Sequence, residues 1–207
     1  MTLTLIGRSS SHFTRVTRLF AHELGLAYEF RPVFDFTTLD ATVYGNNPAL
    51  KIPVLLDEAG PLFGTENICR ALIRHAGTRG ASVVMRGDLA DRTVANAEEL
   101  TLHAMDAEVT LIMTQAGASG QQPPAKVTPS LKNSLAHLDQ QLDAALRALP
   151  PERSLSFLEV TLYCLVRHLE FRSILDTQPF ERLRAFAEAF EARAGARATA
   201  YQFDKPS

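Results

Sequence analysis

The sequence lacks the features of a membrane protein, a secreted protein or a nucleic-acid-binding protein. No apolar run comes close to the roughly 20 residues of a membrane-spanning helix. Residues 1–7 do not combine a charged segment with an apolar stretch, so they do not resemble a signal peptide. Basic residues are spread along the chain and the formal net charge is −2, whereas phosphate binding needs a basic surface. We therefore expect a cytoplasmic protein without a membrane or nucleic-acid partner.

Cysteine is also scarce, since only Cys69 and Cys164 occur, far apart and within helical patterns. We expect two buried, reduced thiols, with a disulfide between them as the alternative. The six histidines show no metal-ligand spacing. His103, Asp106 and Glu108 share a predicted helix, but steps of three and five residues do not gather them on one face. We therefore expect no metal.

The chain does carry enough apolar residues for a substantial core. Of its 207 residues 46% are hydrophobic and 21% are charged, which is ordinary for a globular protein and leaves room for one large domain or two modest ones. Strand and helix signals alternate before the segment from Gly77 to Gly87, and helical signals dominate after it. This change predicts two domains, residues 1–77 and 88–207, joined by a linker over 78–87.

The first domain has an α/β pattern in the order βαβ, an irregular or helical link, then ββα. Alternating or β-branched segments predict strands at 2–6, 28–36, 52–56 and 61–63. Apolar residues at helical spacing predict helices from Phe13 to about Leu24, ending at Gly25, and over 65–75.

The second domain has an all-helical pattern. Helices are predicted over 88–115, 131–149, 157–169 and 179–193, the first ending at residues 117–120 and the Pro123-Pro124 loop, and the tail from Thr199 is expected to be loosely ordered. Ser156 and Glu159 match a capping box at the start of the third helix. The clearest apolar stripe consists of leucines three and four residues apart: Leu131, Leu135, Leu138, Leu142, Leu146 and Leu149.

Four segments in this order resemble the glutathione transferase family. Residues 47–55, Asn-Pro-Ala-Leu-Lys-Ile-Pro-Val-Leu, are similar to the family's N-P-x-x-K-V-P-V-L, and residues 62–68 are similar to its L-x-E-S-x-x-I. Residues 156–159 resemble its capping box, and residues 179–199 resemble its closing helix with a trailing threonine. The resemblance implies a thioredoxin-like N-terminal domain, an all-α C-terminal domain and glutathione as co-substrate.

The resemblance also implies roles for residues 51–53. It implies a cis peptide bond before Pro53, which exposes the backbone of Ile52 to pair with the cysteinyl part of glutathione. The alternative is a purely structural cis-proline. Lys51 is expected to meet the glycyl carboxylate, with a merely solvated lysine as the alternative.

Three serines precede the first predicted helix. A thiolate beside Ser9, Ser10 and Ser11 would gain from the helix dipole and from a hydroxyl donor, which lowers the pKa of a thiol. Residues 11–15, Ser-His-Phe-Thr-Arg, resemble the S-P-[YF]-x-R of serine-type family members, so Ser11 is the preferred catalytic residue, followed by Ser10 and Ser9. The alternative is that these serines only cap the helix.

Thr65 matches the family serine that holds the γ-glutamyl carboxylate, and a simple N-cap is the alternative. Gly64 departs from the family, because it stands where the glutamate that pairs with the α-amino group is usual. Glu66 faces another direction and does not replace that glutamate. A carboxylate of a partner subunit is one candidate replacement, from among Glu98, Glu99 and Asp106.

An apolar pocket for the acceptor substrate is expected to involve His12, Phe13, His103 and Met105, with core packing as the alternative for the methionine. The leading hypothesis is an enzyme that adds a glutathione thiolate to an electrophilic, mostly apolar acceptor. The second is a non-catalytic assembly or dimerisation module of the same fold, which the departure at Gly64 favours. The third keeps glutathione but changes the reaction, for example to isomerisation or reductive dehalogenation. The resemblance also implies a homodimer.

Overall fold

The computed structural model describes residues 2–117 and 122–206, and contacts divide the chain into two compact units. The N-terminal unit comprises Met1–Val83 and Glu191–Ser207, and the helical unit comprises Val84–Phe190. In this division the last residues of the chain group with the N-terminal unit, and the domains 1–77 and 88–207 stay a prediction. Within the described part of the chain, no helix is both long enough and apolar enough to cross a membrane.

A four-stranded mixed sheet organises the N-terminal unit and confirms the predicted βαβ and ββα order. The strand order is β2-β1-β3-β4, with β1 parallel to β2 and antiparallel to β3, and β3 antiparallel to β4. The elements are β1 (Leu3–Gly7), α1 (His12–Glu23), β2 (Tyr28–Pro32), a 3-10 turn (Ala41–Tyr44), β3 (Val54–Asp57), β4 (Gly60–Phe63), α2 (Thr65–Ala76) and a second 3-10 turn (Gly77–Gly80).

Apolar residues of the sheet and of α1 and α2 form the core of this unit, as their spacing predicts. The side chains that are fully buried include Leu5, Ile6, Val16, Leu19, Phe20, Val54, Leu55, Ile68 and Leu72. The second strand is shorter than the predicted 28–36. It ends at Pro32, and the Asp35 carboxylate then accepts hydrogen bonds from the N–H and the hydroxyl of Thr37 at 2.8 and 2.7 Å. This local turn competes with continued strand pairing.

Leaving out residues 118–121, the helical unit contains four helices, which are α3 (Arg92–Ala116), α4 (Val127–Ala148), α5 (Phe157–Arg172) and α6 (Glu181–Phe190). The leucine stripe of α4 is confirmed over Leu131, Leu135, Leu138 and Leu142, which are at most 3% exposed, whereas Leu146 is half-buried and Leu149 is buried just beyond the end of the helix. α3 begins at Arg92 and not at residue 88, because the Asp91 carboxylate caps it by accepting from two backbone N–H groups. Of the break predicted over 117–120, residues 118–120 lie outside the described residues.

Two predictions for the second half of the chain need correction. The chain after residue 88 is not purely helical, because Leu155–Ser156 form a two-residue strand, β6, and the linker contains another, β5 (Val83–Val84). Two residues are too few to show a strand period. The last helix predicted over 179–193 ends at Phe190, and a separate helix, α7 (Ala194–Ala198), follows the extended backbone of Arg193. Both cysteines are buried and are not joined by a disulfide, as predicted.

Within residues 199–206 the tail is held by tertiary contacts at Thr199 and Asp204, contrary to the prediction of a loosely ordered segment. Thr199 is 1% exposed, and its hydroxyl donates to the carbonyl of Gly195 at 2.7 Å. Asp204 is held as well, since its carboxylate accepts from the backbone N–H of Ser9 at 2.8 Å. These partners are distant in sequence or buried by tertiary packing, so local composition gives no sign of them.

Candidate functional site

One edge of the sheet collects the predicted ligand-binding residues of the N-terminal unit. Ile6, near the end of β1, pairs with Val54 at the start of β3, and Val54 pairs with Phe63 at the end of β4. Neighbouring strands lie about 4.8 Å apart, so the loops at these three strand ends are neighbours. We call this the loop edge, and it carries the residues that follow β1, precede β3 and follow β4: Ser9–Ser11, Lys51–Pro53 and Gly64–Thr65.

Both helices of the βαβ and ββα motifs begin at the loop edge. α1 begins at His12, directly after the serines, and α2 begins at Thr65, directly after β4. The first turn of a helix presents N–H groups without intrahelical acceptors and the positive end of the helix dipole. Two such ends at one edge favour an anionic or multiply anionic ligand there.

Ser11 caps α1. Its Oγ accepts from the N–H of Thr14 at 3.3 Å, and its own N–H donates to the carbonyl of Arg8 at 3.0 Å. The capping role that the sequence left as an alternative is therefore present. A hydroxyl oxygen that accepts a hydrogen bond still has its proton to donate, so capping leaves a donor for a second partner. Ser11 is half-buried and so retains access to solvent.

Ser9 and Ser10 are more deeply buried, at 2% and 9% exposure. The N–H of Ser9 donates to the Asp204 carboxylate at 2.8 Å, and its Oγ accepts from the Arg18 guanidinium at 3.0 Å. Arg18 is fixed in turn by the Tyr28 hydroxyl at 3.3 Å. Ser9 thus holds the loop in place, and Ser11 has the most accessible hydroxyl of the three.

Asn47 shapes the loop before β3. Its side chain is 6% exposed, its Nδ2 donates to the carbonyl of Lys51 at 2.8 Å, and its Oδ1 accepts from the N–H of Ala49 at 3.0 Å. Asn47 is the first residue of the motif at residues 47–55, but the motif by itself indicates no role for it. The signal was available, because asparagine amides commonly bond to backbone groups a few residues away.

The peptide bond between Ile52 and Pro53 is cis, as predicted. Among residues 2–117 and 122–206, the backbone of Ile52 has no hydrogen-bond partner, so both of its polar groups are available to a ligand. Lys51 is exposed, and its ammonium group forms no ion pair within the described ranges. The segment therefore offers a pair of backbone groups beside one cation.

The start of α2 has no side-chain cap. Its N-cap is Gly64, with φ +87° and ψ 129°, and Thr65 is the first helical residue, so the N-cap role considered for Thr65 is wrong. Glu66 is directed along the helix, since its Oε1 accepts from Arg70 at 3.2 Å. The N–H groups of the first turn thus have no capping side chain from this position, and the Thr65 hydroxyl lies next to them.

The residues predicted for an acceptor pocket are not all alike in accessibility. In the N-terminal unit, His12 is 1% exposed and Phe13 is half-buried, with their ring centroids 4.6 Å apart. In the helical unit, Met105 is fully buried, whereas His103 is exposed and lies 3.0 Å from Glu99. His103 and Met105 occupy different sides of α3, and the burial of Met105 favours core packing.

Three carboxyl groups of the N-terminal unit have a lowered pKa, and each stabilises a turn. Hydrogen bonds from Thr37 and Thr42 hold the pKa of Asp35 and of Asp40 below the usual value. A hydrogen bond from His75 lowers the pKa of Asp57, whose Oδ1 also accepts from the backbone of the β3–β4 turn. Structural hydrogen bonds account for these shifts, and they do not indicate general acids or bases.

Residues 5–80 match the family model described as the N-terminal domain of glutathione S-transferase. A comparison with curated protein sequences finds no match. The matched residues include the sheet from Leu5 onward, α1, α2 and the whole loop edge, so the N-terminal unit has the thioredoxin-like architecture of that domain.

Solved structures of glutathione transferases share the fold over nearly the whole chain. A glutathione S-transferase from Methylobacillus flagellatus KT with glutathione bound is 24% identical, with a TM-score of 0.78, and the alignment covers 97% of this chain and 100% of that one. A family member from Pseudomonas fluorescens Pf-5 with bound glutathione is 20% identical, with a TM-score of 0.75 and the same coverage. A third, from Methylobacterium radiotolerans in complex with glutathione sulfonate, is 18% identical, with a TM-score of 0.73 and coverage of 100% and 99%. The fold of the chain is that of the glutathione transferases.

Proposed function

We propose that the protein is a glutathione transferase that binds glutathione at the loop edge and activates its thiol for addition to an electrophilic, mostly apolar acceptor. One observation carries this proposal. Three features lie at consecutive positions along the loop edge: the start of α1 with the Ser11 hydroxyl, the unpaired backbone groups of Ile52 beside Lys51, and the uncapped start of α2. Glutathione presents a thiol, a peptide backbone and carboxylates in a chain of comparable length.

In this proposal Ser11 activates the thiol. Its hydroxyl donates a hydrogen bond to the sulfur, and the positive end of α1 favours the thiolate over the thiol. Both effects lower the pKa of the bound thiol. The thiol proton leaves to solvent, and a lone pair of the thiolate forms the C–S bond to the electrophilic carbon of the acceptor. The π electron pair of the attacked bond shifts to the other atom of that bond, which takes up a proton from solvent. The protein contributes orientation and electrostatic stabilisation, and no metal takes part in the scheme.

The other contacts bind glutathione and do not react. The free N–H and C=O of Ile52 pair with the cysteinyl residue as an added strand would. Thr65 and the first-turn N–H groups of α2 receive the γ-glutamyl carboxylate, and Lys51 receives the glycyl carboxylate. Asn47 keeps Lys51 and Ile52 in register through its bond to the Lys51 carbonyl.

The second candidate is a non-catalytic assembly module, and Gly64 is the observation that favours it. The position carries no carboxylate for the α-amino group of glutathione, and its φ of +87° disfavours any other side chain. Losing a charged hydrogen bond of this kind costs about 1.5–3 kcal/mol of binding. The enzyme proposal therefore requires either weak binding of glutathione or a carboxylate from elsewhere.

A homodimer in the cytoplasm is part of the proposal, and a partner subunit is one source of that carboxylate. Of the three candidates, Glu98 is 4% exposed and is poorly suited to reach another chain. Glu99 is paired with Arg86 and His103, which leaves the exposed Asp106 as the simplest choice. Light scattering on the purified protein tests the dimer.

Calorimetric titration of glutathione into the full-length protein tests the proposed function. We expect saturable binding that Thr65→Ala weakens by several-fold, together with a bound thiol whose absorbance reports ionisation below the pKa of free glutathione. Titration with S-methylglutathione is the matched control, because this compound retains the backbone and both carboxylates but its sulfur has no proton to lose. Absence of binding at millimolar glutathione would overturn the proposal of a glutathione transferase and favour that of a non-catalytic assembly module.

A further inference from the structure

The last residues of the chain run along α1 and are attached to it at several points. We call residues 193–204 the strap. Near its start, the N–H of Gly195 donates to Glu23 at 2.8 Å, and the Arg193 guanidinium donates to the same carboxylate. Glu23 is the last residue of α1, so the strap begins at the C-terminal end of that helix.

The middle of the strap lies on Arg15, which is 3% exposed. The Arg15 guanidinium donates to the carbonyl of Ala196 at 2.9 Å and to the hydroxyl of Thr199 at 3.5 Å. It also lies over the ring of Tyr201, at 4.2 Å from the centroid. Arg15 is in the first turn of α1, so the strap passes from the end of the helix back to its start.

The strap ends at residues Ser9–Ser11, which we call the serine loop. The Asp204 carboxylate accepts from the N–H of Ser9 at 2.8 Å, and Arg18 holds the Ser9 hydroxyl at 3.0 Å. Ser9 is therefore clamped from two sides, by an anion on its backbone and by a cation on its side chain. It stands two residues before Ser11, inside the short turn closed by the bond from the Ser11 N–H to the Arg8 carbonyl.

We propose that Asp204 is a positioning residue, which fixes the serine loop through Ser9 and so places the Ser11 hydroxyl for its contact with the glutathione sulfur. This inference rests on the proposed function. The contact is sensitive to small displacements, because a hydrogen bond weakens steeply as its angle departs from linearity. The strap thus links the C-terminal end of the chain to the reactivity of a group near its N-terminal end.

The carboxylate of Asp204 has two separable effects. Its hydrogen bond holds the loop, which favours the thiolate through Ser11, whereas its negative charge disfavours a thiolate nearby. Asp204→Ala removes both effects, and Asp204→Asn removes the charge but keeps an oxygen that accepts from Ser9. A positioning role therefore predicts a higher pKa of the bound thiol in Asp204→Ala but not in Asp204→Asn, whereas a pure charge effect predicts the same fall of that pKa in both variants.

The experiment compares wild type, Asp204→Ala, Asp204→Asn and the control Gln202→Ala, an exposed residue of the same strap. The pH dependence of thiolate absorbance gives the pKa of the bound thiol, calorimetry gives the Kd, and thermal unfolding checks that each variant is folded. We expect the thiol pKa to rise by about 0.5–1 unit in Asp204→Ala, which is roughly three- to tenfold less thiolate near neutrality. Asp204→Asn should match wild type or lie slightly below it, Gln202→Ala should match wild type, and the Kd should change less than twofold throughout.

Two results would overturn the inference and leave the proposed function intact. One is an unchanged thiol pKa in a folded Asp204→Ala variant that binds glutathione. The other is an equal fall of the thiol pKa in both Asp204 variants, which is the signature of charge alone. If wild type itself binds no glutathione, the proposed function fails and this inference fails with it.

Discussion

The Oγ atom of Ser11 accepts a hydrogen bond from the N–H of Thr14 at 3.3 Å, while its own proton is not used in that contact. The hydroxyl can therefore cap α1 and donate to a ligand at the same time. The sequence presents capping and catalysis as alternatives for Ser11, but the same hydroxyl can do both. Variants can separate the two.

Ser11→Ala should impair both roles, whereas Ser11→Asp should impair only one. Loss of the cap costs about 1 kcal/mol of stability in Ser11→Ala, and aspartate restores it because its carboxylate also caps helices. Neither variant donates to a thiolate near neutral pH, so the bound thiol pKa should rise by about one unit or more in both. Denaturant unfolding and thiolate absorbance measure the two effects, and Ser11→Thr serves as the control that keeps both. An unchanged thiol pKa in Ser11→Asp would exclude Ser11 as the donor.

Gly64 allows a test of the missing carboxylate. At φ +87° an added Cβ meets Asn67 Nδ2 only at 3.4 Å, so the cost of Gly64→Ala comes chiefly from the backbone and is about 1–2 kcal/mol. Gly64→Glu has the same backbone cost and adds a carboxylate. If the α-amino group of glutathione lies beside this position, Gly64→Glu should bind glutathione about tenfold more tightly than Gly64→Ala.

Gly60→Ala is the matched control for the Gly64 variants. Gly60 also has a positive φ, +103°, and an added Cβ there meets no atom within 4 Å. It should lower the stability by a similar amount without changing the Kd for glutathione. Equal affinity of the two Gly64 variants would show that the α-amino group is bound elsewhere.

Asn47 should matter for glutathione affinity although it is buried. Asn47→Ala removes the bonds to the Lys51 carbonyl and from the Ala49 N–H, and we expect a loss of about 1–3 kcal/mol of stability and a weaker Kd. Asn47→Asp retains an acceptor for Ala49 but cannot donate to Lys51, so it isolates the bond nearest to Ile52. Unchanged affinity in folded variants of both kinds would remove Asn47 from the site.

The ion pair between Arg153 and Glu159, a residue of the capping box of α5, should contribute strongly to the stability of the helical unit. Arg153 donates to both Glu159 oxygens, at 2.8 and 2.7 Å, and this bond raises the pKa of the Arg153 guanidinium. We expect Arg153→Met to lower the free energy of unfolding by about 1–3 kcal/mol in denaturant titrations. Arg182→Met is the control, because the contacts of Arg182 to Asp139 and Asp143 are 3.9 and 4.0 Å long and exposed. Equal losses in the two variants would contradict a special role for the Arg153–Glu159 pair.

The Asp57–His75 contact should make stability depend on pH at the acid end. The hydrogen bond from His75 lowers the pKa of Asp57 in the folded protein, so the bond stabilises the fold above the unfolded pKa of about 3.9 and loses this effect as pH falls through the folded value. Asp57→Asn should be less stable by a few tenths of a kcal/mol near pH 5, and the difference from wild type should shrink at lower pH. Urea unfolding over this range measures it, and a constant difference would contradict the assignment.

Local chemistry explains how much of the fold was predictable. The cap at Ser11, the stop at Gly25, the capping box at Ser156 and the leucine stripe of α4 each depend on residues within a few positions of one another. Such contacts are visible as spacing in the sequence. The predicted end of β2 and the predicted start of α3 are less accurate. Hydrogen bonds from backbone N–H groups to Asp35 and Asp91 form turns there, although the apolar pattern does not change at these positions.

The candidate site was predictable to the same extent. The segments around Ser11, Ile52 and Thr65 carry recognisable residue types, and the sheet register brings them to one edge. Asn47 and Asp204 were not identified, because each acts through a hydrogen bond whose partner is specified by the folded chain. The ranking among Ser9, Ser10 and Ser11 acquired a physical basis only from their different burial.

The sequence by itself determined the order along the chain of β1–β4 and of α1–α6, the caps of α1 and α5, and the residue types at the ends of β1, before β3 and after β4, because these features follow from interactions between near neighbours in the chain. Only the tertiary structure decided that α2 is capped by a glycine at positive φ, that Ser9 is engaged and Ser11 is accessible, and that the last residues return to α1. The bond between Ser9 and Asp204 joins residues 195 positions apart. Whether such distant groups meet depends on the packing of the whole unit, and no local pattern records it.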